Sequence, residues 1–439
     1  MAVSSGATKA LISGAVAIAV CALVVGIAHW RAHDLVTGDV VWHADVGSSV
    51  DETVVVRDRI YTYQDDVLTI RDLASGKMIA EDRLDGNWAR VGDGGDVAVL
   101  GIARIAMYDR DGNQVWVNEL DDLHMPIAIS PDGQLDAIRC SESDKCVLVH
   151  FDSSGTVTSR TPRRALDLGS PASIGTDTFD DSQLVQRVPT VPVDIDPKTR
   201  SAYQVRDGER SGSPVGVMDE HVAAQVGDLL VGVSRKDGIC TFAAVRSGVQ
   251  AWTTTTPCPD LGFPKIEVFA DRIYLTNLSG GAYDVVTSDL EGRRATAFRV
   301  DTGTTSESDR ESDRQLLEPT PDGVVLIQTD RISAYSTTGK RLWTEELSRD
   351  SRDALDKSTR LYPGIAVSGP VVDRFESGPS GLASLAIGRK VPAYTHTFIS
   401  SRTGEETSQL AAPYGSVPYG LDDGRVLVLG SDDMWLVAP

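Results

Sequence analysis

The chain has 439 residues, and 41% of them are hydrophobic, so it can bury a large core. Its formal net charge of −21 repels phosphate backbones and anionic lipid headgroups, which argues against nucleic acid and anionic membrane surfaces as ligands. A low aromatic content of 6% and 40 glycines favour a β protein with many turns over a helical one.

The N-terminal segment predicts a membrane anchor. Residues 1–9 form a short polar head, and residues 10–28 follow without a charge. An uncharged stretch of this length spans the hydrocarbon core of a bilayer as a helix. The apolar region of a cleaved signal peptide, the alternative, is usually only ~7–15 residues long. We therefore expect an uncleaved transmembrane helix followed by a short tether at residues 29–36.

The cysteines outside the anchor predict disulfides. They form two local pairs, and each pair flanks a predicted hairpin: Cys140 with Cys146, and Cys240 with Cys258. Zinc is the alternative, but neither spacing is Cys-x-x-Cys and no histidine lies within either pair. Because disulfides persist in oxidising compartments, we expect a single-pass protein of the cell membrane with a cytoplasmic N-terminus and an extracytoplasmic body.

A short repeat organises the body of the chain. In each copy a β-like run leads into a turn with glycine, and a tryptophan follows in the pattern Gly-x-x-x-Trp. Glycine accepts the positive φ that a tight turn requires, and the tryptophan supplies a large apolar side chain that packs between repeats. Four copies are complete: Gly38/Trp42, Gly112/Trp116, Gly248/Trp252 and Gly339/Trp343. Four degenerate copies keep the turn without the tryptophan: Gly76, Gly155, Gly292 and Gly404.

The spacing of the turns predicts an all-β propeller of about eight blades. From Gly76 to Gly112 is 36 residues, and from Gly292 to Gly339 is 47, the length of a four-stranded blade. Seven or nine blades stay open, because the intervals after Gly155 and after Gly339 are longer. Residues 160–215 differ in composition and are either an insertion or a divergent blade.

The two ends of residues 37–439 complement each other. Residues 37–42 have no strands of their own ahead of them, and residues 425–437 contain strands without a following turn and tryptophan. We expect the N-terminal strand to pair with the last blade, which would remove an unpaired sheet edge.

The repeat resembles a known family. A strand that ends in Asp, followed by Thr/Ser-Gly-Lys and then tryptophan, is similar to the pyrroloquinoline-quinone-like (PQQ-like) propeller repeat of the membrane-anchored actinobacterial type. The quoted segments are Ala74-Ser75-Gly76-Lys77 and Thr338-Gly339-Lys340-Arg341-Leu342-Trp343. The resemblance covers roughly residues 35–439 and implies the fold. It implies either a quinoprotein dehydrogenase or a cofactor-free scaffold, such as the propeller lipoprotein of the outer-membrane barrel assembly machine.

The residues favour the cofactor-free branch of that family. Its quinone enzymes place a vicinal Cys-Cys disulfide against the cofactor, and this chain has no Cys-Cys. It also has no Gly-x-Ser-x-Gly elbow, phosphate loop or His-Glu-x-x-His run. His43 and His150 fall within strand patterns and are expected as core or surface positions. We therefore predict no catalytic residue, no cofactor and no metal.

Two functions of different class remain. The first is a non-enzymatic scaffold in cell-envelope assembly, which binds an integral membrane protein or an envelope glycan through one propeller face. The composition resembles that of a high-GC actinobacterium, which makes lipoglycan or mycolate-envelope maturation the expected setting. The alternative is a divergent enzyme, quinoprotein-like or a hydrolase or lyase, with its site in the central funnel. The acidic pairs Asp65-Asp66 and Asp180-Asp181 are its candidate carboxylates, although both are more readily turn or loop residues.

Overall fold

The computed structural model describes most of the chain outside the N-terminal segment. The described residues are 40–46, 53–64, 67–83, 88–101, 104–120, 125–142, 145–163, 172–173, 185–196, 198–206, 209–218, 223–259, 261, 264–269, 271–279, 281–302, 316–328, 331–346, 365–368, 371–377, 392–413, 416–421, 423–430 and 433–438. Among them no helix is long and apolar enough to span a membrane. The predicted anchor at 10–28 lies outside these residues, as do the head at 1–9 and the tether at 29–36.

The described residues form thirty-seven strands in nine sheets. Strand β1 covers Val40–Asp45. Sheet 1 contains β2 (Thr53–Val56), β3 (Arg59–Gln64), β4 (Val67–Asp72) and β5 (Met78–Arg83). Sheet 2 contains β6 (Trp88–Gly92), β7 (Val97–Leu100), β8 (Arg104–Tyr108) and β9 (Gln114–Glu119). Sheet 3 contains β10 (Met125–Ile129), β11 (Leu135–Glu142), β12 (Lys145–Phe151) and β13 (Val157–Arg163).

Two short strands precede sheet 4 in the chain: β14 (Ala172–Ser173) is the fifth strand of sheet 5, and β15 (Val185–Val188) is the fifth strand of sheet 2. Sheet 4 contains β16 (Val193–Asp196), β17 (Ser201–Arg206) and β18 (Glu209–Gly216). Sheet 5 contains β19 (Ala223–Val226), β20 (Leu229–Lys236), β21 (Ile239–Arg246) and β22 (Val249–Pro257). Sheet 6 contains β23 (Lys265–Phe269), β24 (Arg272–Ser279), β25 (Ala282–Asp289) and β26 (Ala295–Asp301).

Sheet 7 contains β27 (Leu316–Thr320), β28 (Gly323–Ile327), β29 (Arg331–Ser336) and β30 (Arg341–Glu346). Sheet 8 contains β31 (Ile365–Ser368), β32 (Val371–Ser377), β33 (Pro392–Ser400) and β34 (Glu406–Pro413). Sheet 9 contains β35 (Val417–Gly420), β36 (Val426–Leu429), β37 (Asp433–Val437) and β1. Eight sheets have four or five strands and are the blades of an eight-bladed β-propeller, whereas sheet 4 has three strands. The predicted all-β propeller of about eight blades is thus confirmed.

The chain divides into two compact units. Residues 50–345 hold sheets 1–7, and residues 1–49 with 346–439 hold sheets 8 and 9. In the second unit β1 pairs antiparallel with β37, so that His43 lies opposite Trp435 and β1 is the outer strand of sheet 9.

The predicted end of this strand at Trp42 is corrected by the structure. The sequence placed the strand at 37–42, whereas β1 covers Val40–Asp45, so Trp42 lies in its interior rather than at its end. Trp42 lies opposite Leu436, and the register shifts between Val40 and Trp42. The strand continues beyond Trp42 because residues 43–45 find backbone partners along β37. Trp42 is 9% exposed, which agrees with the packing role predicted for the repeat tryptophans.

Burial follows the order of strands within a sheet. The second strands β7 and β28 are buried at every position, which explains their continuous apolar runs. The outer strand β9 buries Trp116 and exposes Val115 and Val117. The second strands therefore form the core, and the outer strands face solvent on one side.

The repeat glycines lie where one sheet packs on the next. The seven described ones all have positive φ: Gly76, Gly112, Gly155, Gly248, Gly292, Gly339 and Gly404. A Cβ atom on Gly155 would lie 2.7 Å from Trp116 of the preceding sheet, and one on Gly292 would lie 2.4 Å from Trp252. Only a residue without Cβ allows this close approach, which accounts for a glycine in the turn of the sheet that follows each of these two tryptophans. Gly38, the glycine of the copy that contains Trp42, lies outside the described residues.

Residues 160–215 contribute to four sheets. The stretch contains the end of β13, β14, β15 and nearly all of sheet 4. Strand β15 runs parallel to β6 at the inner edge of sheet 2, and β14 runs parallel to β19 of sheet 5. After sheet 3 the chain therefore returns to sheet 2, where it adds β15, before it forms sheet 4.

Candidate functional site: a polar cavity at the turn face

In an antiparallel four-stranded sheet, the turn between the first two strands and the turn between the last two lie at the same end. In residues 50–345 we call this end the turn face and define it by the first turns of four sheets, at residues 57–58, 93–96, 130–134 and 227–228. The turn Ser130-Pro131-Asp132-Gly133 joins the first strand of sheet 3, β10, to the second, β11.

The turn face contains a cavity of about 610 Å³ whose walls come from sheets 1 to 5. Its apolar lining residues are Pro131, Val191 and Val205, and no aromatic side chain lines it among the described residues. Its charged and titratable lining residues are Arg57, Asp93, Asp132, Asp136, His150, Arg206 and Asp228. The volume suits a small ligand or a protruding group of a partner, and the lining selects a polar one.

The segment after β15 builds one wall of the cavity. The carbonyl of Pro189 accepts a hydrogen bond of 2.9 Å from the amide of Ile129 in sheet 3. The hydroxyl of Thr190 donates to the carbonyl of Gly227 in the first turn of sheet 5. These bonds fix the segment to sheets 3 and 5 at the cavity.

A buried glutamine holds the neighbouring wall. Gln204 of β17 is fully buried, and its Nε2 donates to the carbonyl of Asp228 at 2.7 Å. Its Oε1 accepts from the amide of Gly248 at 3.1 Å. One amide group thus positions the first and the last turn of sheet 5 relative to sheet 4, since a buried amide requires all its partners to be in place.

Three of the four cavity carboxylates have a basic partner. Asp93 pairs with Arg187 of β15 at 2.6 Å, and Asp228 pairs with Arg246 at 3.2 Å. Asp136 lies 3.0 Å from Nδ1 of His150, with both side chains largely buried. The fourth, Asp132, accepts hydrogen bonds from Ser130 and Gln134.

Two arginines complete the lining. Among the described residues no carboxylate forms an ion pair with Arg57 or Arg206. Arg57 lies in the first turn of sheet 1 with φ 54°, and Arg206 ends β17 with a hydrogen bond of 3.5 Å to the hydroxyl of Ser247. Both side chains are exposed.

An ion-pair network forms the adjoining rim. Arg59 lies 2.9 Å from Asp58 and 3.2 Å from Asp72 within sheet 1, and 3.3 Å from Asp111 of sheet 2. Arg110 of sheet 2 lies 2.8 Å from Asp58. The network crosses between the two sheets and limits the relative movement of their turns.

Two buried tyrosines join neighbouring sheets by hydrogen bonds near the first turns of those sheets. The hydroxyl of Tyr61 donates to the carbonyl of Gly95 in sheet 2 at 2.7 Å, and the hydroxyl of Tyr274 donates to the carbonyl of Thr320 in sheet 7 at 2.8 Å. Burial raises the pKa of both tyrosines, so both remain neutral donors. Burial also raises the pKa of Asp96 in the first turn of sheet 2.

Most of the residues selected from the sequence do not line the cavity. Cys240 and Cys258 form the predicted disulfide, at the other end of sheet 5 from the cavity. Cys140 and Cys146 lie opposite each other in β11 and β12, but the side chain of Cys140 lies outside the described part, so their disulfide stays a prediction. His43 lies on β1, 2.8 Å from Asp433.

The repeat tryptophans lie on the outer strands of four sheets, away from the cavity lining. Trp42 is on β1, Trp116 on β9, Trp252 on β22 and Trp343 on β30. Trp42 and Trp116 are buried, whereas Trp252 and Trp343 are half-buried. These four side chains are therefore structural, and the candidate site uses none of them.

The candidate acidic pairs of an enzyme, Asp65-Asp66 and Asp180-Asp181, lie outside the described residues. Within the part of the chain that is described, no group of three or more His, Cys, Asp or Glu side chains could hold a metal ion. His150, expected to be a core or surface position, is buried and also lines the cavity.

Sequence reasoning missed the cavity and the tyrosine ties. The ties leave a signal, because Asp58-Arg59-Ile60-Tyr61 recurs as Asp271-Arg272-Ile273-Tyr274, each at the first turn of its sheet. In both copies the carbonyl of the Asp accepts a hydrogen bond from a leucine amide. The cavity leaves no such signal, because its residues come from distant turns.

No protein-family model matches the chain, and no curated protein matches it significantly. Among solved structures, it is similar to BamB from Moraxella catarrhalis, with 12% identity, TM-score 0.39, and coverage of 90% of this chain and 99% of that one. The WD40 domain of SCAP from fission yeast has 8% identity, TM-score 0.43, and coverage of 90% and 98%. Apo AztD from Citrobacter koseri has 12% identity, TM-score 0.37, and coverage of 80% and 94%. These similarities are too weak to assign a function, and the fold assignment rests on the sheet topology.

Proposed function

We propose that the chain is a membrane-anchored, extracytoplasmic propeller scaffold in cell-envelope assembly. It binds an integral membrane protein or an envelope glycan through the turn face. The observation that carries this proposal is the polar cavity, to which five sheets contribute and whose turns are held by ion pairs and buried hydrogen bonds. A rigid polar recess suits recognition, because little conformational entropy is lost when the partner binds.

The chemistry of the cavity favours binding over catalysis. A general acid and base require titratable groups that are free to exchange a proton with a substrate. Asp93 and Asp228 form ion pairs with Arg187 and Arg246 and are not free in this sense. These carboxylates therefore shape the walls.

Two observations support the proposed location. Residues 10–28 are uncharged and long enough to cross a bilayer. The Cys240–Cys258 disulfide favours an oxidising compartment for the body. Together they support an anchored protein whose propeller faces away from the cytoplasm, and an actinobacterial envelope remains the predicted setting.

Site-specific photo-crosslinking of the full-length chain in native membranes tests the proposal. A crosslinking residue is placed at Asp132 on the turn face or at Asp237, which lies between β20 and β21 at the other end of its sheet. We expect a discrete adduct with an envelope membrane protein or glycan from position 132 and none from position 237. Equal adducts from both positions, or no adduct from position 132, would contradict the proposal.

A further inference from the structure

Not every charged side chain of the cavity has a partner of opposite charge among the described residues. Asp93, Asp136 and Asp228 each have a basic partner, which leaves Asp132 as the cavity carboxylate without one among the described residues. The guanidinium groups of Arg57 and Arg206 line the same cavity. Among the described residues the ion pairs thus leave two guanidinium groups and the Asp132 carboxylate without a charged partner, and His150 offsets Asp136 only when it is protonated. In a chain with a net charge of −21, solvent ions screen more distant carboxylates over about 10 Å.

Arg57 occupies a position where a side chain has an energetic cost. Its φ of 54° lies in the left-handed region, which glycine adopts without penalty and other residues adopt rarely. Burial raises the pKa of Asp96 nearby, and the charge of Arg57 opposes that rise without an ion pair between the two. The first turn of sheet 1 thus has backbone strain at an arginine that lines the cavity. Strained residues are often found at ligand-binding sites.

Arg206 reaches the cavity from sheet 4. It is exposed, and its hydrogen bond to the hydroxyl of Ser247 uses one of the five N–H donors of the guanidinium group. The remaining donors are suited to the paired oxygens of a carboxylate or phosphate. Ser130, Thr190 and Gln134 also line the cavity. Their side chains donate to Asp132 and Gly227, and their oxygens can accept from a hydroxylated ligand.

We propose that Arg57 and Arg206 bind an anionic group, a carboxylate or a phosphate, on a hydroxyl-rich ligand in this cavity. The inference deepens the proposed function, because it names the chemistry by which the turn face recognises its partner. An acidic sugar residue and a phosphorylated one share this chemistry. A neutral sugar lacks it, and an apolar ligand does not match the polar lining.

Calorimetric titration of the full-length chain in detergent at low ionic strength tests the proposal. The probes are inorganic phosphate and glucuronate, with glucose as the neutral comparison. We expect saturable binding of at least one anion and none of glucose. Tighter binding of phosphate indicates a phosphorylated ligand, and tighter binding of glucuronate indicates a carboxylate.

The variants Arg57→Gly and Arg206→Gln each remove one guanidinium group. We expect roughly tenfold weaker anion binding in either variant, the usual loss for a charge-assisted hydrogen bond. Arg57→Gly relieves the strained φ, so the variant folds and its binding can be measured. The matched control is Arg200→Gly, which removes an arginine with φ 50° from the turn between β16 and β17, at the other end of the sheet from Arg206.

Failure of this inference differs from failure of the proposed function. If neither anion binds, if both cavity variants bind as tightly as the unchanged chain, or if Arg200→Gly weakens binding equally, the anion site is refuted. Crosslinking from position 132 would still support a partner on the turn face. If the anion binds but position 132 yields no adduct, the cavity inference stands and the scaffold proposal fails.

Discussion

Alanine at Gly155 is expected to destabilise the chain more than alanine at Gly133, although both glycines lie in turns of sheet 3. Their φ angles are 81° and 79°, so the left-handed backbone adds the same cost of about 1–2 kcal/mol to either substitution. A Cβ atom at Gly155 would lie 2.7 Å from Trp116, whereas one at Gly133 would meet no described atom within 4 Å. The difference between the variants therefore isolates the contact between sheets.

Trp116 has little room to yield. It is 7% exposed and stacks on Phe151 with ring centroids 5.8 Å apart. Overpacking of a filled core costs about 1–3 kcal/mol, so we expect Gly155→Ala to lower the free energy of unfolding by that amount beyond Gly133→Ala.

Guanidinium unfolding of the full-length chain measures both variants. The free energies are comparable where the dependence on denaturant is unchanged, and the difference appears as a lower midpoint for Gly155→Ala. In a Trp116→Ala background the clash is absent, so Gly155→Ala should then cost no more than Gly133→Ala. Equal costs of the two substitutions in the unchanged background would refute the reasoning.

Three further outcomes test how the sheets are held. Tyr61→Phe leaves the buried carbonyl of Gly95 without its donor, and should lower the free energy of unfolding by about 1–3 kcal/mol in the same assay. Replacing Cys240 and Cys258 together by serine should lower it by about 3 kcal/mol, because the disulfide closes a loop of 18 residues, and unchanged stability would contradict this. The hydrogen bond from the hydroxyl of Ser154, with the backbone bonds beside it, lowers the pKa of Asp152. Carbon NMR should therefore show its carboxylate titrating below the usual value of about 3.9, with the stabilisation present above that pH and lost as pH falls through the lower pKa.

The regular part of the fold could be predicted because its causes are local. A turn glycine at positive φ and an apolar side chain at a fixed distance after it are set by neighbours in sequence, and Gly112 and Gly339 lie in such turns. The pairing of β1 with β37 could also be predicted. The N-terminal repeat unit has no strands ahead of it, and the C-terminal strands have no turn and tryptophan after them. The C-terminal end of β1 could not be predicted from the sequence. The strand was predicted to stop at Trp42, but it continues to Asp45, because its length depends on a partner strand that is distant in sequence.

The candidate site was hidden because its causes are long-range. Arg57, Asp132 and Arg206 belong to three sheets, and nothing in the sequence near any of them indicates the other two. Strand β15 adds a second difficulty. It follows sheet 3 in the sequence but pairs parallel with β6 of sheet 2, so the order of strands in space departs from their order in the chain.

The distribution of arginines argues that the turn face combines two tasks. Arg59, Arg187 and Arg210 are each paired with carboxylates of their own or a neighbouring sheet, and they fix the turns. A turn fixed in this way can hold another side chain in one place without a direct partner. Arg57 and Arg206 lie among these fixed turns and remain available to a ligand, because Asp93 and Asp228 of the cavity are already paired with Arg187 and Arg246. The acidity of the chain is thus compatible with an anion site, since at the cavity most carboxylates are committed to the fold.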